Sequence, residues 1–437
     1  MRNTDKNPVL EVFPPATTVN AQGHLVIRGC DTVDLARSYG TPLYIFDETG
    51  IRERCAEFKH EFGSRYPEVT VLYACKAFTC LAMLRLIAEE GLGLDVVSGG
   101  EIEYAHAADF SMQAISFPGN NKSAAELDLA ILSGIGQIVV DNLPELEILS
   151  RLAGSRTVDI LLRLSPGIDP HTHRYNTTGT VDSKFGLPRP SWDQAVRTAQ
   201  AAGSLNPLGF HFHLGSGLFE TEPYLEAIDI VLDYAMEIRR KYDFETKFLS
   251  IGGGYGVKYH PEDNPPGVAA FAQAITSRLR ERCAALDLPL PHLIVEPGRT
   301  IVAQYGVALY TIGTIKQIPG IRTYVCIDGG MGDNIRYPLY GFTQEALLAG
   351  KASSPSAGNV TVAGRYCESG DILIPEASLP EVQAGDILAV AGNGAYAVPL
   401  ASNYNGNYRP AIVFVRDGEA RLVRRRETFD DLASRDI

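Results

Sequence analysis

The chain has 437 residues, 45% hydrophobic and 21% charged, and its 39 basic and 52 acidic side chains give a net charge of −13. Ordinary apolar content excludes intrinsic disorder, and no Gly period or long heptad run points to collagen or a coiled coil. The acidic balance repels phosphate backbones, so no nucleic-acid partner is expected, although a local cationic pocket for an anionic ligand stays open.

At roughly 100–200 residues per domain, this length holds two or three domains, or one large barrel with a smaller partner. The seven cysteines, Cys30, Cys55, Cys75, Cys80, Cys283, Cys326 and Cys367, form no C-x-x-C pair. An odd count without pairing predicts reduced thiols and a cytoplasmic location. The N-terminal stretch MRNTDKNPVLEVFPPATT lacks an apolar signal region. No run of about 18 apolar residues predicts a membrane span.

The first 43 residues read as short strands, with HLVIRGC at 24–30, and are assigned to a second domain. From residue 44 to 305, eight apolar, β-branched runs alternate with helical patterns. In order they are VTVLYACKA (69–77), LGLDVVS (92–98), AISFPGN (114–120), QIVVDN (137–142), DILLRLSP (159–166), LGFHFHLGS (208–216), FLSIGGG (248–254) and HLIVEPG (292–298). Between them, apolar positions recur at about 3.6 spacing, often behind a Ser, Asp or Asn cap. Strand–helix alternation makes parallel strands, and continuous apolar runs mean strands buried on both faces. Eight units predict an α/β fold, a (β/α)8 barrel, in preference to an open doubly wound sheet. From 306 to 437 the texture becomes short strands and Gly, Pro and Asp turns, a mainly antiparallel β domain. Within it AIVFVRDGEARLV reads as a hairpin turning on Asp417-Gly418.

Barrel enzymes gather their chemistry at the C-terminal ends of the strands. Run one ends in Lys76, and an ammonium closing an apolar run is costly unless paired or neutral. Run two ends at Asp95 and Ser98, which also suits a plain helix cap. Run six carries His211 and His213 on one face, then Ser216. Run seven enters Gly252-Gly253-Gly254-Tyr255-Gly256, a turn that lets backbone approach a phosphate. Run eight ends in Glu296-Pro297-Gly298-Arg299, a carboxylate with a guanidinium nearby. A strand-end lysine, an imidazole, a phosphate cradle and a carboxylate are the parts that hold pyridoxal 5′-phosphate. The dinucleotide fingerprint and the P-loop pattern are absent. His171 and His173 stand two apart without HExxH or paired Cys, so no metal is expected.

The blocks YACKAF, GLGLDVVSGGE, SFPGNNKS, HTHRYNTTGTVDSKFGL, HFHLGSG, IGGGYG, EPGRTIVA, DGGMGDNIRYPLYG, YCESGDIL and GAYAVPLASNYNGNYRPA span the chain from about residue 20. They resemble the diaminopimelate branch of the fold-type III pyridoxal-phosphate decarboxylases, which share an alanine-racemase-like barrel. The resemblance implies decarboxylation of meso-diaminopimelate to L-lysine and CO2, the last step of lysine biosynthesis. It implies Lys76 as the Schiff-base lysine, Glu296 as partner of the pyridinium, His213 stacked on the ring and Asp95 beside them. Ser216, Gly253, Gly254, Gly298, Arg299 and Tyr396 would hold the phosphate. Arg299, Arg336, Tyr340, Glu368 and Tyr396 match substrate-binding positions, and Cys367 matches the acid that protonates the reacting carbon. Cys367 and Glu368 would come from a partner subunit, which implies a homodimer with shared active sites. The chain departs from the branch at Gly217, at Tyr337 and across Ala397-Val398-Pro399, all near the implied substrate. The alternative is the same chemistry on a related diamino acid, of ornithine or lysine type or a secondary-metabolite precursor.

Overall fold

The computed structural model describes residues 7–168 and 182–437. His171, His173 and most of the HTHRYNTTGTVD stretch lie outside the described residues. Two compact units emerge: residues 54–256 with 265–300, and residues up to 53 with 257–264 and 301–437.

The first unit is the (β/α)8 barrel. Its strands are β1 (Val69–Ala74), β2 (Gly93–Asp95), β3 (Ile115–Phe117), β4 (Gln137–Val140), β5 (Val158–Arg163), β6 (Leu205–His211), β7 (Phe248–Ser250) and β8 (His292–Val295). Six of them fall inside the runs read from the sequence, while β5 begins one residue and β6 three residues before its run. They close into a ring in the order β6-β7-β8-β1-β2-β3-β4-β5, with every neighbouring pair parallel. Leu72, Val139, Leu161 and Ile294, from β1, β4, β5 and β8, form a buried cluster packed by Leu208 and Phe248. Burying such side chains stabilises by about 1.5–3 kcal/mol each, which is why the strands read as unbroken apolar runs.

Helix starts follow the expected caps. Ser98, Ser123 and Asn142 accept from the backbone N–H of Glu101, Glu126 and Glu145 at 3.3, 3.2 and 3.1 Å. These open the helices Gly99–Ala107, Ala124–Ser133 and Leu143–Ala153. Each cap contributes about 1 kcal/mol.

The second unit is built on a mainly antiparallel sheet. Its path runs through Ile372–Leu379, Gly358–Ala363, Arg322–Ile327, Gly306–Ile318, Leu43–Asp47, Ala411–Arg416 and Glu419–Arg424. The strand Leu43–Asp47 pairs antiparallel with Gly306–Ile318 and parallel with Ala411–Arg416. It therefore belongs to this sheet, although the sequence pattern draws the barrel from residue 44. Phe13, Leu25 and Ile27 share one core with Leu43, Ile45, Val307 and Val413. Ala411–Arg416 and Glu419–Arg424 form the expected hairpin, with Asp417 at φ 51° and Gly418 at φ 82° in its turn.

Candidate active site

The strand ends of the barrel carry its polar core. Asp95 ends β2, Arg163 ends β5, His211 ends β6, Ser250 ends β7, and Glu296 follows β8 at once. Lys76 sits on a single turn of 3-10 helix, Cys75–Ala77, directly after β1. Lys76, Asp95, Arg163, His211, His213 and Glu296 line one cavity of about 360 Å³, a size suited to a small cofactor. Val97, the loop of Pro118 to Lys122, Glu126 and Phe185 complete its lining.

Glu296 is 5% exposed, and its two oxygens are held separately. One accepts from the Ser250 hydroxyl at 2.7 Å, and the other lies 3.2 Å from His211 Nε2. Burial alone would raise its pKa, but His211, Ser250 and Lys76 outweigh burial and hold it below the ordinary glutamate value. Asp95 goes the opposite way. Burial, then the charge of Glu296, push its carboxyl up, so the two acids share the cavity with one of them protonated. His213 is held well below its ordinary value by burial and by Lys76, Arg163 and His211. Its Nδ1 accepts from the Gly253 N–H at 3.2 Å, which fixes a neutral ring with its proton on Nε2.

The glycines after β7 let three strand ends close on one another. A Cβ on Gly253 would stand 2.0 Å from the Glu296 carbonyl oxygen. One on Gly254, at φ 106°, would stand 2.2 Å from that of Gly215. Tyr224 donates from its hydroxyl to the Gly253 carbonyl at 2.7 Å and stacks on Tyr255 at 5.6 Å, so the turn rests on an aromatic floor. Arg299 Nε donates to Ser216 Oγ at 3.0 Å, joining the loops after β6 and β8.

Two observations test the fit of pyridoxal phosphate. Asp95 Oδ1 and His211 Nδ1 are buried with no hydrogen-bond partner, polar atoms facing the kind of interior that a polar ring would complete. The turn around Gly253 and Gly254 also has space only for backbone, as a phosphate cradle requires. The residues fit the group.

Sequence reasoning missed Arg163, Ser250 and Lys122. Arg163 is 6% exposed, lies 3.4 Å from Asp141 Oδ1 and stacks on Phe185 at 4.6 Å. Its signal was a cation inside an apolar run, where burial is costly unless it is paired. Lys122 donates to the carbonyls of Gly119 and Val139 at 2.7 and 2.9 Å and pairs with Glu145 at 2.8 Å. Ser250 carried no signal, being one small hydroxyl among many.

The β unit holds the remaining expected residues. Arg336 opens the short helix Arg336–Tyr340 and is 2% exposed, while Tyr340 at its end is half-buried. Cys367 and Glu368 are exposed on the turn after Gly358–Ala363. That turn is pinned from behind. The Cys367 N–H donates to Asn405 Oδ1 at 2.8 Å, and Asp371 accepts from the N–H groups of Met331 and Tyr366 at 2.6 and 2.8 Å. Tyr396 is half-buried and adopts φ 59°, a left-handed conformation unusual for a bulky side chain.

The model of the pyridoxal-dependent decarboxylases, pyridoxal binding domain, matches residues 48–303. The chain is 44% identical over 429 residues to a diaminopimelate decarboxylase of Halalkalibacterium halodurans, covering 97% of this chain and 98% of that one. It is also 44% identical to the enzyme of that name in Bacillus subtilis, over 96% of both chains. Among solved structures, the diaminopimelate decarboxylase of M. jannaschii in complex with L-lysine superposes with a TM-score of 0.90 at 32% identity, over 97% of this chain and 98% of that one. The chain belongs to the diaminopimelate decarboxylases, within the family of pyridoxal-dependent decarboxylases.

Proposed function

We propose that this chain decarboxylates meso-diaminopimelate to L-lysine and CO2, the last step of lysine synthesis, using pyridoxal phosphate held in the barrel. The observation that carries the reading is the joint lining of one cavity by Lys76, His213 and Glu296, in a chain alike to diaminopimelate decarboxylases from end to end.

When bound, pyridoxal phosphate supplies an aldehyde that takes an amine and a protonated ring that withdraws electrons from the bond losing CO2. Lys76 is the amine on hand for that aldehyde. Glu296, kept ionised by His211 and Ser250, suits a protonated ring nitrogen. His213, neutral and held at Nδ1, offers the ring a flat face without a competing charge. Ser216, Gly253, Gly254, Gly298, Arg299 and Tyr396 would hold the phosphate, and Asp95 would stand beside the ring. In the β unit, Arg336 suits the carboxylate at the far end of the substrate and Glu368 its ammonium, with Tyr340 and Tyr396 beside them. As CO2 leaves, its bonding pair stays on carbon, and the Cys367 thiol returns a proton there.

Cys367 and Glu368 stand exposed in the single chain, yet proton return to carbon requires a site closed to bulk water. A second copy covering them, in a homodimer with shared active sites, meets that requirement. The Tyr404 ring beside Cys367 is 41% exposed and offers apolar surface for such a contact. A cytoplasmic location accords with seven cysteines outside any disulfide. Among the described residues, no helix is long and apolar enough to cross a membrane.

The purified protein with pyridoxal phosphate and meso-diaminopimelate is expected to release CO2 and form L-lysine. Faster turnover of L-ornithine or L-lysine would sink the substrate assignment. Mixing Lys76→Ala and Cys367→Ala chains, each strongly impaired alone, is expected to raise activity above that of either variant. No recovery would argue against sites shared between subunits.

A further inference from the structure

Arg336 is buried in the β unit and held by its faces. Its guanidinium carbon lies 4.0 Å from the centre of the Phe342 ring and 4.8 Å from that of Tyr259. Those two rings meet edge to face, 4.4 Å apart and at 80°. Arg336 Nη1 also donates to the Gly392 carbonyl at 2.8 Å. Gly392 itself fits only as glycine, because it has φ 68° and a Cβ there would stand 2.8 Å from the Tyr259 ring. The four residues therefore interlock.

Tyr259 is firmly placed in turn. It belongs to the segment 257–264, which follows the glycine turn in sequence but groups with the β unit. Asp263 Oδ2 accepts from the N–H groups of Tyr259 and His260, both at 3.0 Å. The His260 ring contacts Glu345 at 3.1 Å and Thr343 at 3.0 Å, next to Phe342.

Aromatic contact fixes the plane of a guanidinium without using any of its N–H donors. A carboxylate is recognised by two parallel N–H groups in that plane, so the plane decides whether a bidentate pair forms. We infer that Tyr259, with Phe342, is the positioning residue that sets the plane of Arg336 and thereby selects a substrate with a carboxylate at its far end. The inference rests on Arg336 binding that carboxylate.

The experiment is steady-state kinetics of the pyridoxal phosphate-loaded enzyme on meso-diaminopimelate and on D-lysine, which keeps a reacting D centre and lacks the far carboxylate. Tyr259→Leu is expected to raise KM for meso-diaminopimelate by about tenfold, the scale of a buried cation–π contact, with kcat within about twofold. Its preference for meso-diaminopimelate over D-lysine should fall in proportion. Tyr259→Phe keeps the ring and should restore KM and preference, with bound-cofactor absorbance unchanged in both variants. An unchanged KM in Tyr259→Leu, a fall confined to kcat, or failure of Tyr259→Phe to restore preference overturns the inference. If Tyr259→Leu does not fold, Phe342→Leu takes the same measurements with the same deciding outcomes. Arg336→Lys separates the two claims: no rise in its KM overturns Arg336 as carboxylate binder and the inference with it. A rise there beside a wild-type Tyr259→Leu overturns the inference alone.

Discussion

The candidate groups of the two units are held in opposite ways. In the barrel, Asp95, Arg163, His211 and Ser250 are the last residues of their strands, and all are nearly inaccessible. In the β unit, Cys367 and Glu368 stand exposed on a turn, and Arg336 is fixed by the ring of Phe342, six residues on, and by that of Tyr259 from a distant segment. Strand ends are set by the ladder of the whole barrel, so their side chains are placed before any ligand arrives. Turn residues are placed only by what pins them, here Asn405 and Asp371. The barrel thus offers groups that are preorganised, and the β unit groups whose placement depends on the contacts that pin them.

The sharpest break of that comparison is Lys76→Ala. Losing the amine at the end of β1 should lower turnover by about a thousandfold or more and remove the visible-edge absorbance of the bound cofactor. Retained absorbance in that variant would place the cofactor lysine elsewhere. Cys367→Ala tests the other unit. It should lower kcat by about a hundredfold or more while leaving cofactor absorbance intact, since the residue is assigned to the proton and not to the cofactor. Cofactor loss in Cys367→Ala would refute that division of labour.

The glycine turn gives a smaller effect confined to the barrel. Gly253→Ala puts a Cβ 2.0 Å from the Glu296 carbonyl and should destabilise by about 3 kcal/mol, weakening cofactor binding with it. Gly203 has nothing within 4 Å of its Cβ position, so Gly203→Ala should leave stability within about 0.5 kcal/mol. Equal melting temperatures for the two variants would show that the turn yields easily.

The same contrast explains what could be read from the sequence. All eight barrel strands were legible, because burial on both faces writes itself as an apolar run and the helices between carry their caps. Lys76, Asp95, His211 and Glu296 were legible as polar residues ending such runs. Arg163 ends its strand but stands inside its run, with Leu164 after it, so the rule of polar run ends passed over it. The places of Leu43–Asp47 and of residues 257–264 were not legible. Their partners, Gly306–Ile318 and Ala411–Arg416 for the strand and Phe342 and Glu345 for the segment, lie far along the chain. Local pattern does not encode such pairing. Roles in the β unit came from resemblance alone, since an exposed Cys on a turn has no periodicity to mark it.

The smallest expected effect concerns pH and the β unit alone. Asp333 is 3% exposed, accepts from the Tyr310 hydroxyl at 2.7 Å and the Gly330 N–H at 2.9 Å, and precedes Arg336 by three residues. Burial, stronger than those hydrogen bonds, pushes its carboxyl up to about 7. In the unfolded chain an aspartate titrates near about 3.9. Between those values the folded protein holds a proton that the unfolded chain has lost. Stability from this group is therefore full at low pH, falls as pH rises from about 4 to about 7, and is level above. Asp333→Asn removes the titration while keeping the shape. Relative to wild type, its melting temperature should gain on going from about pH 5 to about pH 7.5. A constant difference between the two proteins across that range would mean that Asp333 is ionised throughout, its charge met by the tyrosine hydroxyl and the backbone around it.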